Sequence, residues 1–142
     1  MSSRRAGSLR FEISLPSRAH LGERVAVTLR LKNAGSRPRD LHLQGRRVAF
    51  DIVVRRAGGE VVWRRLAGQT LLGILQIRTL SPGEELQLSD EWDQRGDDGA
   101  PAGPGTYLVH GEIPTDELAP MRSGDVALTI EPGPIDESGA PA

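Results

Sequence analysis

Apolar and polar positions alternate along much of this chain. Leu9, Phe11, Ile13 and Leu15 alternate with Arg10, Glu12 and Ser14, the period of two expected of a strand with one buried face. Val25, Val27, Leu29 and Leu31 repeat the pattern against Arg24, Thr28, Arg30 and Lys32, and Asn33-Ala34-Gly35-Ser36 then reads as a turn. Leu41 and Leu43 flank His42 in a short third strand. Val48, Phe50, Ile52 and Val54 lead to Gly58-Gly59, and Val61, Val62 and Trp63 follow. This predicts a tight hairpin on a two-residue Gly-Gly loop, with Val54 opposite Trp63 and with Arg55 and Arg64 on the other face. Leu86 and Leu88, then Tyr107 and Val109, then Val126, Leu128 and Ile130 supply the remaining alternating runs.

Residues 66–80 are apolar but irregular. Gly68 and Gly73 weaken a helix there, so the segment reads as a loop followed by a short strand, a buried crossover between two sheets. Ser81-Pro82-Gly83 is a turn, and residues 93–105 form a long polar loop. About eight strands at short spacing, with no helix, predict an all-β, two-sheet antiparallel sandwich. Residues 1–8 are expected to be a flexible N-terminus, residues 9–131 the sandwich, and residues 132–142, rich in Gly, Pro, Ala and acid, a disordered tail.

Composition narrows the chemistry. The absence of cysteine excludes disulfides, thiolate metal sites and cysteine nucleophiles. Lys+Arg at 18 against Asp+Glu at 19 argues against a dedicated nucleic-acid binder, and 4 % aromatics leave few stacking platforms. No apolar stretch approaches the roughly 18 residues that span a bilayer. The first residues carry Arg4-Arg5 with no apolar segment behind them, so the expected setting is cytoplasmic with no membrane partner.

No catalytic residue is assigned. There is no Gly-x-Ser-x-Gly elbow and no phosphate loop, and Gly103-Pro104-Gly105 cannot serve as one. His20, His42 and His110 lie in separate segments and read as isolated histidines, so neither a metal nor a cofactor is assigned. The acids between Glu84 and Asp98 read as a solvated loop, and Arg95-Gly96-Asp97 as a chance tripeptide. Arg55, Arg56, Arg64 and Arg65 form a basic strip that keeps strand surfaces soluble. Trp63, Trp92 and Tyr107 read as core anchors or ligand stackers alike.

The central region carries a further pattern. Phe50-Asp51-Ile52-Val53-Val54 is followed by Gly59-Glu60-Val61-Val62-Trp63-Arg64, then Leu80-Ser81-Pro82-Gly83-Glu84, Trp92-Asp93 and Pro104-Gly105-Thr106-Tyr107-Leu108-Val109. Gly73-Ile74-Leu75-Gln76 fits the same order. This arrangement, over residues 9–113 and through the last strand, resembles the BsuPI family, the intracellular proteinase inhibitors of bacilli and related bacterial proteins. The resemblance implies an immunoglobulin-like β-sandwich, no cofactor, and inhibition of a cytoplasmic subtilisin-type serine protease. It transfers no inhibitory residue.

An inhibitor offers a pre-organised segment to the protease cleft. Two loops are candidates. In residues 66–80, Leu71, Leu72, Ile74 and Leu75 suit an apolar specificity pocket; in residues 114–124, Leu118 and Met121 sit between or beside Pro114 and Pro120. The expected partner is therefore a protein, an intracellular serine protease. The alternative is a non-inhibitory immunoglobulin-like interaction module that recognises another protein by a strand edge or sheet face.

Overall fold

The computed structural model describes residues 2–6, 8–45, 47–69 and 73–132. Leu71, Leu72 and nearly all of the 132–142 tail lie outside the described residues. One sheet is ordered β1 (Ser2–Ala6), β2 (Leu9–Ser14), β4 (Val25–Asn33), β9 (Glu85–Trp92). The facing sheet is ordered β3 (Arg18–His20), β12 (Val126–Glu131), β10 (Gly105–Ile113), β6 (Asp51–Arg56), β7 (Val61–Arg64), and β11 (Met121–Arg122) also pairs with β10. β5 (Arg39–Gln44) and β8 (Leu75–Leu80) form a separate two-stranded antiparallel ribbon. All pairings are antiparallel except β12 with β3. The fold is an all-β sandwich of the immunoglobulin-like kind.

The alternation read from the sequence becomes the core. Leu9, Phe11 and Ile13 from β2 meet Val25, Val27, Leu29 and Leu31 from β4, and all are buried. Across the sandwich lie Ile52, Val54, Tyr107, Val109, Leu128 and Ile130. Trp92 is fully buried between Trp63, stacked at 6.0 Å, and Tyr107, edge-on at 5.7 Å. Trp92 and Tyr107 are therefore core side chains, and Trp63 packs half-buried against them. The Tyr107 hydroxyl lies 2.8 Å from the Ala102 carbonyl and 2.6 Å from that of Gly103, a tyrosine-corner contact typical of immunoglobulin-like sandwiches. Gly111 lies directly against Leu29 of the facing sheet, where an added Cβ would collide with the Leu29 methyls. Only glycine lets β10 pass there.

Several expectations change. β1 occupies the segment expected to be a flexible N-terminus, paired along its length with β2. The hairpin does place Val54 opposite Trp63. Its loop, however, closes between Arg56 and Glu60, with Gly59 N–H donating to the Arg56 carbonyl and Gly59 at φ 103°. Val62 of β7 is the extra residue of a bulge opposite Val54/Arg55, and Gly59 fits because glycine carries no Cβ penalty in that left-handed region. The expected crossover at residues 66–80 is not buried: β8 sends Leu80 into the core but leaves Ile74, Leu75 and Ile77 exposed.

Candidate functional site

The loop at residues 114–120 joins β10 to β11, and its base is a strand pair. Ile113 pairs with Met121 and Glu112 with Arg122, so both loop ends leave one antiparallel ladder. Thr115 forms a further bridge to Leu43 of β5, and Gln44 Nε2 donates to the Thr115 carbonyl at 3.0 Å. His42 Nδ1 donates to Asp116 Oδ2 at 3.0 Å, and Glu117 N–H donates to Thr115 Oγ1 at 3.1 Å. The His42 hydrogen bond and nearby positive charge hold the Asp116 carboxyl below the ordinary aspartate range. Pro114 and Pro120 bracket the loop and restrict its backbone.

This framework presents Leu118. Its exposure is 108 % of the reference value, against 69 % for Ile77, the next most exposed large apolar side chain among the described residues. Residues 116–119 bend, which turns the Leu118 side chain away from the body. Met121 behaves differently. It lies in β11, partly buried against the core, and with Leu9, Leu41 and Arg39 it lines a shallow hollow beneath the loop. The structure thus separates the two residues the sequence had grouped: Leu118 is presented, and Met121 supports the loop from below.

His42 and Asp116 are 74 residues apart in sequence. Reading His42 as an isolated histidine missed this pair, and no local spacing could have revealed it.

His110 is also not isolated. On the outer face of its sheet it is buried, and its Nε2 donates to Glu112 Oε2 at 2.7 Å. Arg64 lies 3.2 Å from Asp51 and 3.5 Å from Glu112. Asp125 accepts from Arg55 at 2.6 Å and lies 3.5 Å from Arg122 and 3.7 Å from His110 Nδ1. The His110 hydrogen bond is the main cause that lowers the Glu112 pKa; Arg64 and Arg122 add to it, and burial opposes it. For Asp125, burial pushes the pKa up, but Arg55, Arg122 and His110 together carry it below the ordinary value.

The expected basic strip is thereby neutralised. Arg55 meets Asp125, Arg56 lies 3.5 Å from Glu60, Arg64 meets Asp51, and Arg65 meets Asp90 at 2.6 Å. The Arg65 guanidinium also sits 3.7 Å over the Phe50 ring. The acidic loop is likewise committed to local structure: Asp93 accepts from Arg95 N, Asp97 from Arg64 N, and Asp98 from Ala100 N. Arg95-Gly96-Asp97 is stitched down by Arg95 to the Gly99 carbonyl and by Asp97 N–H to the Val62 carbonyl. Among the described residues, no group of three or more His, Cys, Asp or Glu side chains is placed to hold a metal, and no helix is long and apolar enough to cross a membrane.

The geometry is thus an immunoglobulin-like sandwich from which Leu118 projects on a buttressed loop. Residues 14–118 match the family model BsuPI, intracellular proteinase inhibitor, and the match covers most of the chain. The chain belongs to this family. A comparison with curated proteins yields no match.

Among solved structures, the chain is similar to a β-glucosidase from Listeria innocua at 14 % identity and TM-score 0.49. That similarity covers 92 % of this chain and 16 % of the glucosidase. An alkylpurine DNA glycosylase from Pseudomonas fluorescens, bound to DNA containing an abasic site analogue, is 15 % identical with TM-score 0.49 over 89 % of this chain and 31 % of that one. A CARDB domain from Pyrococcus furiosus, in complex with di-metal ions, is 15 % identical with TM-score 0.45, covering 92 % of this chain and 90 % of its own. The chain therefore spans only a minor part of the two enzymes.

Proposed function

We propose that this protein inhibits a subtilisin-type serine protease in the cytoplasm by placing Leu118 in the enzyme's apolar specificity pocket. The observation that carries the reading is the near-complete exposure of Leu118 on a loop fixed at both ends. A large apolar side chain held in water gains free energy when it enters an apolar pocket, about 1.5–3 kcal/mol for a leucine. The strand pair Ile113–Met121, the Thr115 bridge and the His42–Asp116 bond hold the loop in place before it docks. Less ordering entropy is then lost on binding, which separates an inhibitor from a flexible substrate.

The same framework resists turnover. Were a bond near Leu118 cut, the two new ends would remain on the paired strands β10 and β11. The amine would stay beside the acyl group at high effective concentration, which favours resealing over release. Leu71 and Leu72, the other candidate contacts, lie outside the described residues.

The test is a titration of the protein against a subtilisin-type protease, following hydrolysis of a chromogenic peptide. Stoichiometric loss of activity is the expected result, with Leu118→Asp weakening inhibition about 100-fold and leaving the thermal midpoint in place. Unchanged protease activity with steady degradation of the protein would overturn the reading.

A further inference from the structure

A second apolar surface lies beside the loop, on the outer face of the β5–β8 ribbon. In β8, Gln76, Arg78 and Leu80 turn inward, while Leu75, Ile77 and Thr79 turn outward. Leu75 is 51 % and Ile77 69 % exposed, and Ile74, just before the strand, is 36 % exposed. Among the described residues, β8 pairs with β5 alone. Outer strands usually carry charge or proline on such a surface to discourage association. Here two large aliphatic side chains stand there instead, and a cluster of that kind marks an interaction surface.

The surface is continuous with the Leu118 loop. His42 of β5 is the direct cross-strand partner of Ile77, and Gln44 is that of Leu75. On the other side of β5, His42 holds Asp116 and Gln44 holds the Thr115 carbonyl. One strand spacing, about 5 Å, therefore separates Ile77 from His42, and a single hydrogen bond joins His42 to the loop. Four of the five exposed large apolar side chains among the described residues, Ile74, Leu75, Ile77 and Leu118, belong to this β8–β5–loop array. Polar contacts border it, with Thr79 donating to Asp40 at 2.6 Å and the His42–Asp116 pair between its two parts. Apolar contacts interspersed with hydrogen-bonded polar groups are common in protein interfaces.

We infer that Leu75 and Ile77 form a second contact surface for the same protease, docking on an apolar patch beside the cleft that receives Leu118. The inference rests on the Leu118 reading, and it assigns partner selectivity to β8. Proteases that share an apolar pocket would then be distinguished by whether they carry a matching patch at its rim.

The experiment measures inhibition constants for the full chain and for the Leu118→Asp, Ile77→Asp and Ile77→Thr variants, with sedimentation velocity on each. Ile77→Asp is expected to weaken inhibition about tenfold and Ile77→Thr a few-fold, both with an unchanged thermal midpoint. Binding to protease whose active site is blocked by a small sulfonyl fluoride supplies the second arm. Weak residual binding of the parent protein, lost in Ile77→Asp, supports the second surface. Loss of potency in Leu118→Asp with both Ile77 variants within twofold of the parent overturns the second surface and leaves the loop reading intact. Full potency in Leu118→Asp with loss in Ile77→Asp overturns the loop reading and retains β8 as the contact. A dimer of the parent that becomes monomeric in Ile77→Asp, with inhibition unchanged, assigns the face to a second copy of this chain and overturns the inference.

Discussion

Residues 93–104 and residues 114–120 are both irregular, both contain proline, and both are rich in acid, yet they do opposite work. The first is bound into the molecule along its length. Gln94 is buried, with φ 65°, and its side chain donates to the carbonyls of His20 and Glu23 and accepts from Gly22 N–H. Trp92 Nε1 donates to the Arg95 carbonyl at 2.8 Å, and Ala102 is covered by the core. The second loop is bonded only near its base, and its tip carries an apolar side chain into water. Composition does not separate the two. What separates them is whether distant segments supply donors and acceptors along the loop or only at its ends.

Breaking the first loop is expected to cost stability most. Trp92→Ala, at the end of β9 where the loop begins, removes the ring that Trp63 and Tyr107 pack against and the hydrogen bond to the Arg95 carbonyl, and should destabilise by about 4 kcal/mol. Leu118→Ala should shift stability by less than about 0.5 kcal/mol in the same urea titration. A comparable loss in both would erase the distinction between strut and tip.

Gln94→Ala is the next largest. It strands two backbone carbonyls and the Gly22 N–H, and should cost about 2 kcal/mol while leaving protease inhibition at its parental value. A parallel loss of inhibition at temperatures where the variant is folded would mean that the first loop also shapes the binding surface.

The smallest expected effect is a response to acid. Glu112, Asp125, Asp90 and Asp116 all have pKa values lowered in the folded protein. For Asp90, burial pushes upward but the Arg65 hydrogen bond and charge outweigh it. A carboxylate with a lowered folded pKa binds protons more readily when unfolded. Its contribution is therefore present above the ordinary carboxylate range, near pH 4, and is lost as pH falls through it. The denaturation midpoint should fall between about pH 5 and pH 3, and Glu112→Gln should flatten that slope. Asp116→Asn should leave the slope almost unchanged, because its exposed bond to His42 orders the loop rather than the sandwich.

The sequence made β2, β4, β6, β9, β10 and β12 legible because a buried face writes a period of two, whereas β3 and β11, at three and two residues, are too short to show one. Val54 opposite Trp63 followed from the same rule. β1 was not legible: its Ser-Ser-Arg-Arg-Ala sequence has no such period, and it is a strand because β2 offers it a ladder. Leu75 and Ile77 alternate as core residues do, and periodicity alone cannot say whether the face they define is covered. The presented tip was half legible. Pro114 and Pro120 marked a restricted loop, but the His42–Asp116 and Thr115–Leu43 contacts that hold it join residues distant in the chain. Likewise, the arginine doublets read as a free basic strip because their acidic partners, Asp51, Asp90 and Asp125, arrive from other strands and loops.

The way residues 114–120 are fastened has an evolutionary consequence. The fixing contacts fall on Thr115 and Asp116 at one end and on the Met121 strand pair at the other, and the Leu118 side chain touches nothing that the sandwich needs. The residues between those clasps are free to drift. On the proposed reading, a lineage facing a new protease can rewrite three or four codons at the tip without renegotiating the core, so related proteins are expected to share the clasps while their tips diverge.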